Sequence, residues 1–369
     1  MVAIVATATM ATMATMAATV PADAMRSPSR GPTIIYKEVA TGLNNARQID
    51  FANGAMYVAE AGHGSFNGTS STGPCMLSGE GATVCFGDTG SVMRVRHGKQ
   101  HRVLEGVASI GGQKDGSAAL GPSDLVVVDK HTIVLSVGLG TDLAHRKHLT
   151  KLGRAELAHL LSFNLRTGKR TVIGDLGAHE ARANPIAKPD SDPTGLAKAG
   201  KLGYLVIDSG GNTLVRARKG HVHGVAAFRS RMSGAQRYQS VPTDVVKGPD
   251  GAWYVSELTG APFISGAARI WRIVPGHKPH VWASGLTNVT SLAFDGRRLY
   301  AVQIADAGIP NFGTGSLRRV FSDKSGRASR RIASPLFAPY GVALHRGAAY
   351  VSTCAVCFHG GTVIKVPLS

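Results

Sequence analysis

Five acidic residues recur at two fixed places in this sequence, and hard oxygen ligands gathered at one opening would suit Ca²⁺ or Mg²⁺. Glu60, Asp208 and Glu257 each end a short apolar run (MYVAE, YLVID, WYVSE), while Asp124 and Asp244 sit in PSDL and PTDV. Asn212, in DSGGN just after Asp208, adds a neutral oxygen. A cation held by such a set would act as a Lewis acid on a carbonyl. His63 follows Glu60 in EAGHG and is the candidate general base. The competing use of the same acids is structural, each carboxylate capping a turn or bonding backbone N–H groups.

The cysteines carry a second kind of chemistry. Cys75 and Cys85 bracket CMLSGEGATVC, and Cys354 and Cys357 form CAVC. Local disulfides are one reading; a cross-link between the two segments and a Cys₄ zinc site are the others. A thioredoxin-like role is disfavoured because Cys354 ends an expected strand rather than opening a helix. The pairs His145/His148 and His221/His223 lack a third spaced ligand and read as solvated side chains. No GxSxG, phosphate-binding loop or dinucleotide fingerprint occurs in a fitting context.

What must position these groups is a pattern repeated six times. Each copy opens on a short strand: Ala46-Arg47-Gln48-Ile49, Pro122-Ser123-Asp124-Leu125, Pro193-Thr194-Gly195-Leu196, Pro242-Thr243-Asp244-Val245, Val289-Thr290-Ser291-Leu292 and Pro339-Tyr340-Gly341-Val342. An apolar strand follows in each (MYVAE, IVLSV, YLVID, WYVSE, LYAVQ, AYVST), then a third such as ARIWRIVPG or TVIKVPLS. Five copies add a fourth strand, and the last stops short at Ser369. The stretch from Ile34 to Ala40 has no repeat of its own and fits as the missing outer strand. The pattern predicts an all-β fold, a six-bladed β-propeller with four-stranded blades, its N-terminal strand closing the last blade.

That register places inner-strand starts and second-strand ends at one mouth of the channel. Glu60, Asp124, Asp208, Asp244 and Glu257 are therefore expected to converge there. Long insertions at 61–90, 138–157, 258–267, 304–314 and 177–192 emerge on the same face, which makes it the expected functional face.

Composition sets the surroundings. The 369 residues are 43% hydrophobic and 17% charged, with 46 Gly, which suits many short strands and tight turns. Residues 1–24 read as a signal peptide ending in Ala22-Asp23-Ala24, 25–32 as a flexible lead-in and 33–369 as the single propeller domain. Four cysteines agree with a secreted, extracellular protein, and no other run is long enough to span a bilayer once the signal is removed. The net charge of +18 predicts attraction to polyanions. Basic residues are dispersed and aromatics make up only 6%, so specific nucleic-acid recognition is not expected.

In its order of motifs the chain resembles the ScyD/ScyE family of exported NHL-like propellers. The likeness runs from about Val39 to Val366 through AEAGHG, VCFGDTGSVMRV, SVGLGTD, NPIAKPDSDPTGL, DSGGNTL, VPTDVVKGPDGAWYVSELTGAPFISGAARIWRIVPG and STCAVCFHGGTVIKV. The resemblance implies a six-bladed propeller outside the cytoplasm and brings no catalytic motif with it. Two functions follow as expectations. One is a binding or scaffold propeller for a small molecule or an envelope or extracellular partner. The other is a Ca²⁺- or Mg²⁺-assisted hydrolase or lyase, similar to propeller lactonases and streptogramin lyases.

Overall fold

The computed structural model describes residues 36–66, 73–78, 81–184, 189–325 and 329–368. The expected signal peptide and lead-in lie outside them. The described chain from Tyr36 onward forms one compact unit.

Six antiparallel sheets follow one another along the chain. Blade one is Ala46–Ala52, Ala55–Glu60, Thr83–Arg96 and Lys99–Gly112, and blade two is Pro122–Val127, Thr132–Val137, His159–Asn164 and Arg170–Asp175. Blade three is Pro193–Lys198, Tyr204–Asp208, Thr213–Arg218 and His221–Ala227, and blade four is Pro242–Lys247, Trp253–Glu257, Ala268–Ile273 and His280–Leu286. Blade five is Val289–Asp295, Arg298–Gln303, Gly315–Val320 and Ser329–Leu336. Blade six takes Val342–His345, Ala348–Thr353 and Gly361–Pro367 from the C-terminus and Lys37–Leu43 from the N-terminal side. That strand pairs antiparallel with Gly361–Pro367, so backbone hydrogen bonds close the ring and cover what would be an open edge. It starts and ends three residues later than the sequence reading placed it.

The second strands are apolar throughout because both of their faces are buried. In blade three, Val206 packs against Val134 and Leu160 of blade two, while Leu205 and Ile207 pack against Val255 of blade four. Such a hydrophobic layer fills each of the six gaps between neighbouring blades. Alternation with a period of two therefore appears as a continuous apolar run.

The loop face is more ordered than its reading as insertions implied. In blade one, Thr83–Arg96 and Lys99–Gly112 extend as a long hairpin, with register shifts at Gly87 and Gly90. Cys75–Leu77 adds a short strand to it. Gly64 lies flat on this hairpin; a Cβ there would sit 2.2 Å from the Cys85 carbonyl oxygen. The segment after Thr132–Val137 holds a 3₁₀ turn at Leu143–His148 and a helix at Lys151–Glu156, and a second helix, Leu176–Ala183, follows blade two.

Candidate functional site

The structure separates the five acids into two groups. Glu60, Asp208 and Glu257 end second strands, as expected, and each clamps a corner of its blade. The Asn44 N–H donates to Glu60 Oε1 (2.9 Å) and the Asp192 N–H to Asp208 Oδ1 (2.7 Å), in both cases from the linker entering the inner strand. Blade five does the same with a neutral group, Gln303, which accepts from the Thr287 N–H. Serine hydroxyls add to the clamp, Ser91 on Glu60, Ser191 on Asp208 and Ser240 on Glu257.

Two of these carboxylates are also ion-paired. Arg102 reaches Glu60 with two N–H groups at 2.8 and 2.9 Å. Arg231 binds both oxygens of Glu257 at 2.8 and 2.7 Å, and the Trp271 indole N–H and Arg269 N–H donate to the same carboxylate. Both glutamates are fully buried. A buried charge of this kind needs such a shell to offset its lost hydration.

Asp124 and Asp244 line the channel instead. Inner strands expose an unpaired backbone edge there, and these side chains satisfy it. Asp124 accepts from Leu125 N–H and from Leu196 N–H of the next blade, and Asp244 from Val245 and Leu292 N–H in the same way. Gly195 and Gly341 occupy the equivalent position in blades three and six. A Cβ on Gly195 would come within 2.5 Å of Asp244 Cα, and one on Gly341 within 2.6 Å of the Arg47 carbonyl oxygen. The ring narrows at both places. Ser291 donates to Gln48 Oε1 of blade one at 2.8 Å, past Gly341 of blade six, and lies 3.2 Å from Asp244 Oδ2 of neighbouring blade four. Burial raises Asp244 to about 6; burial and then the Asp244 charge hold Asp124 well above the usual carboxylate range.

At the loop-face end of the inner strands Arg47 is buried. Its guanidinium donates to the carbonyls of Ala355 and Ala119, both at 2.5 Å, and lies 4.7 Å from the centre of the Tyr340 ring. Burial lowers its pKa. On the other side of Gln48, Asp124, Asp244 and Ser291 lies a cavity of about 380 Å³ that also borders Lys198 and Lys247. Arg47 had no role in the sequence reading.

The remaining candidates are placed apart. Asn212, left-handed at φ 52°, bonds Gly210 O, Gln239 Oε1 and Val241 N–H, so its oxygen is engaged as a turn residue. His63 is half-buried against the edges of Phe66 and Phe358, and burial lowers its pKa, keeping the ring neutral. Glu60 turns away from it toward Arg102. Cys75–Cys85 and Cys354–Cys357 are local disulfides, the first of the three readings. His145 bonds Thr141, and His221 stacks with His223 on an exposed outer strand. Among the described residues, no three His, Cys, Asp or Glu are grouped to hold a metal ion. The donor set named from sequence does not fit Ca²⁺ or Mg²⁺, since its oxygens already accept protein N–H and O–H groups.

The sequence reading missed the aromatic character of the loop face. Of the eleven Phe in the chain, six (Phe66, Phe228, Phe263, Phe312, Phe337 and Phe358) follow second or outer strands on this face, and of these Phe228 is buried. Phe337 is 51% exposed. His63, Phe66 and Phe358 form one edge-on cluster beside the Cys354–Cys357 loop.

No family model matches the chain, and no curated protein matches its sequence. Solved structures do match. A protein of unknown function from Bacteroides thetaiotaomicron aligns with a TM-score of 0.53 at 13% identity, covering 90% of this chain and 72% of that one. A putative oxidoreductase (glucose dehydrogenase) from Thermus thermophilus gives 0.54 at 16% identity, covering 90% and 99%. Virginiamycin B lyase from Staphylococcus aureus gives 0.46 at 12% identity, covering 91% and 99%. At such identities the likeness is one of fold. The chain is a six-bladed β-propeller, the architecture its repeats predict.

Proposed function

We propose that this is a secreted binding propeller of ScyD/ScyE type, which presents its loop face to an envelope or extracellular partner and does not turn over a substrate. The observation that carries this reading is the concentration of phenylalanine on that face, next to two disulfide-stapled loops. Aromatic side chains are enriched at protein interfaces and supply contact area at low entropic cost. Arg47 is buried at that end of the channel, and the acids a metal-assisted hydrolase would need are engaged in blade corners or by inner-strand N–H groups. Both facts favour a surface over a reaction cavity. Two disulfides agree with an exported protein, and no helix among the described residues is long and apolar enough to cross a membrane. The +18 charge would add affinity for an anionic partner, falling as salt rises.

The test compares three immobilised proteins against the envelope fraction of the native host. A Phe337→Ala/Phe358→Ala variant is expected to retain about tenfold less of the bound component than wild type, as befits lost aromatic anchors. A Lys198→Ala/Lys247→Ala variant, altered at the opposite mouth, should retain the wild-type amount. Equal retention by the loop-face variant, or turnover of a lactone or ester panel by the wild type, would overturn the reading.

A further inference from the structure

Acids that neither the channel nor the blade corners use as clamps gather at the junction of blades two and three. Glu180 lies on the helix Leu176–Ala183, and Asp190 on the short strand Asp190–Ser191, which pairs with Thr141–Asp142. That ladder sets Asp190 directly opposite Asp142, a like-charge pair that is unfavourable without a counter-charge. Glu180 and Asp190 both press on one turn, 209–212. A Cβ on Gly211 would lie 2.5 Å from Glu180 Oε2, and one on Gly210 would lie 2.7 Å from Asp190 Oδ1.

Other buried glutamates of this chain are supplied with donors. Glu156 takes Arg170 and the Ala108 N–H, as Glu60 and Glu257 take Arg102 and Arg231. Glu180 is 1% exposed, yet its Oε1 is buried with no hydrogen-bond partner, and Asp190 Oδ1 is in the same position. Among the described residues, no Lys, Arg or His pairs with either carboxylate. Burial, and then the nearby Asp208, push Glu180 up to about 8 and Asp190 up to about 6. Among the described residues, no positive charge stands beside these two orphaned carboxylate oxygens, which face a glycine turn.

We propose that a divalent cation with calcium's preference for oxygen binds between Glu180 and Asp190 at the 209–212 turn. Two carboxylates are its charged ligands, and backbone carbonyls and water complete its shell. Calcium's loose six-to-eight oxygen coordination accepts this arrangement, whereas magnesium demands a stricter octahedron. The ion would tie the helix Leu176–Ala183 to blade three and so fix this sector of the loop face. Its affinity belongs in the range of extracellular calcium modules, roughly 10⁻⁴–10⁻³ M.

The experiment is thermal unfolding and calorimetric titration of the disulfide-intact full chain at pH 7.5, with CaCl₂, MgCl₂ or EGTA. Wild type is expected to bind one Ca²⁺, and its Tm to rise by several degrees at saturating calcium, with little response to magnesium. Glu180→Gln and Asp190→Asn should each weaken binding at least about tenfold, consistent with loss of a charged ligand. Glu180→Gln should also be no less stable than wild type in EGTA, because it replaces a buried acid that burial already holds mostly protonated with a neutral amide. The proposal fails if wild type shows no calcium response, the outcome expected if the two carboxyls merely share a proton. It fails equally if both variants keep the wild-type response, or if Asp244→Asn abolishes it while Glu180→Gln does not. Loss of partner retention by the phenylalanine variant would leave this result untouched, so the two readings stand or fall separately.

Discussion

Arg231→Met is expected to cost about 3–5 kcal/mol of stability, measured as a lowered denaturant midpoint at unchanged slope. The guanidinium sits on a small hairpin, Arg231–Ser233 with Gln236–Tyr238, inserted between blades three and four. From there it reaches Glu257 with both terminal nitrogens, donates to the Ala267 carbonyl and lies 5.1 Å from the centre of the Tyr238 ring. Its removal leaves a fully buried carboxylate with only neutral donors. The second substitution of a cycle, Glu257→Gln in the Arg231→Met background, should restore about 1–2 kcal/mol by removing the stranded charge. Arg102→Met should cost less, since Arg102 is more exposed than Arg231 and solvent can reach the group it leaves behind. The result also bears on chemistry. If Glu257 were a metal ligand merely shielded by arginine, Arg231→Met would gain calcium affinity; the expected outcome is no gain.

These contrasts explain what could be read from the chain alone. The blades were legible because second strands buried on both faces repeat as apolar runs at regular spacing, and because the stretch from Ile34 to Ala40 was left over with one open edge to fill. The acids were legible as positions but not as roles. Arg102 and Arg231 lie on an outer strand and in an accessory hairpin, 42 and 26 residues from the glutamates they neutralise. A repeat read in one dimension gives no sign of such partners. The stretch 61–90 read as an insertion, whereas at Gly87 and Gly90 one long strand bends and continues. The helix Leu176–Ala183 had a signal, Asp175 capping the Ala178 N–H, that was passed over inside an expected insertion. The loop-face phenylalanines carry no periodicity. They emerge only when aromatics are counted by register position, after the strand ends are known.

The channel should make the protein less stable as pH rises from about 4 through 6. Asp244 is raised to about 6 by burial, and Asp124 is held well above its usual value by burial and then by Asp244 itself. An unfolded chain titrates both near 3.9. Between those values the native state holds more protons than the unfolded one, so unfolding free energy falls with increasing pH. The step at Asp244 spans about two pH units, worth about 3 kcal/mol and complete somewhat above pH 6. Urea unfolding at half-unit intervals from pH 4.5 to 8 measures it. Asp244→Asn is the informative variant, because it deletes one titration and relieves the repulsion acting on Asp124. Subtracting variant from wild type at each pH cancels the opposite slope from His63 and His179, whose pKa values are lowered, as well as the titrations of Glu180 and Asp190. The difference should fall by about 2 kcal/mol between pH 4.5 and 7.5, the part of the step that lies above pH 4.5, and then level. A difference independent of pH would mean that both carboxylates ionise normally. The backbone N–H groups of Leu196 and Leu292 would then be stabilising full charges inside the ring even at mildly acidic pH.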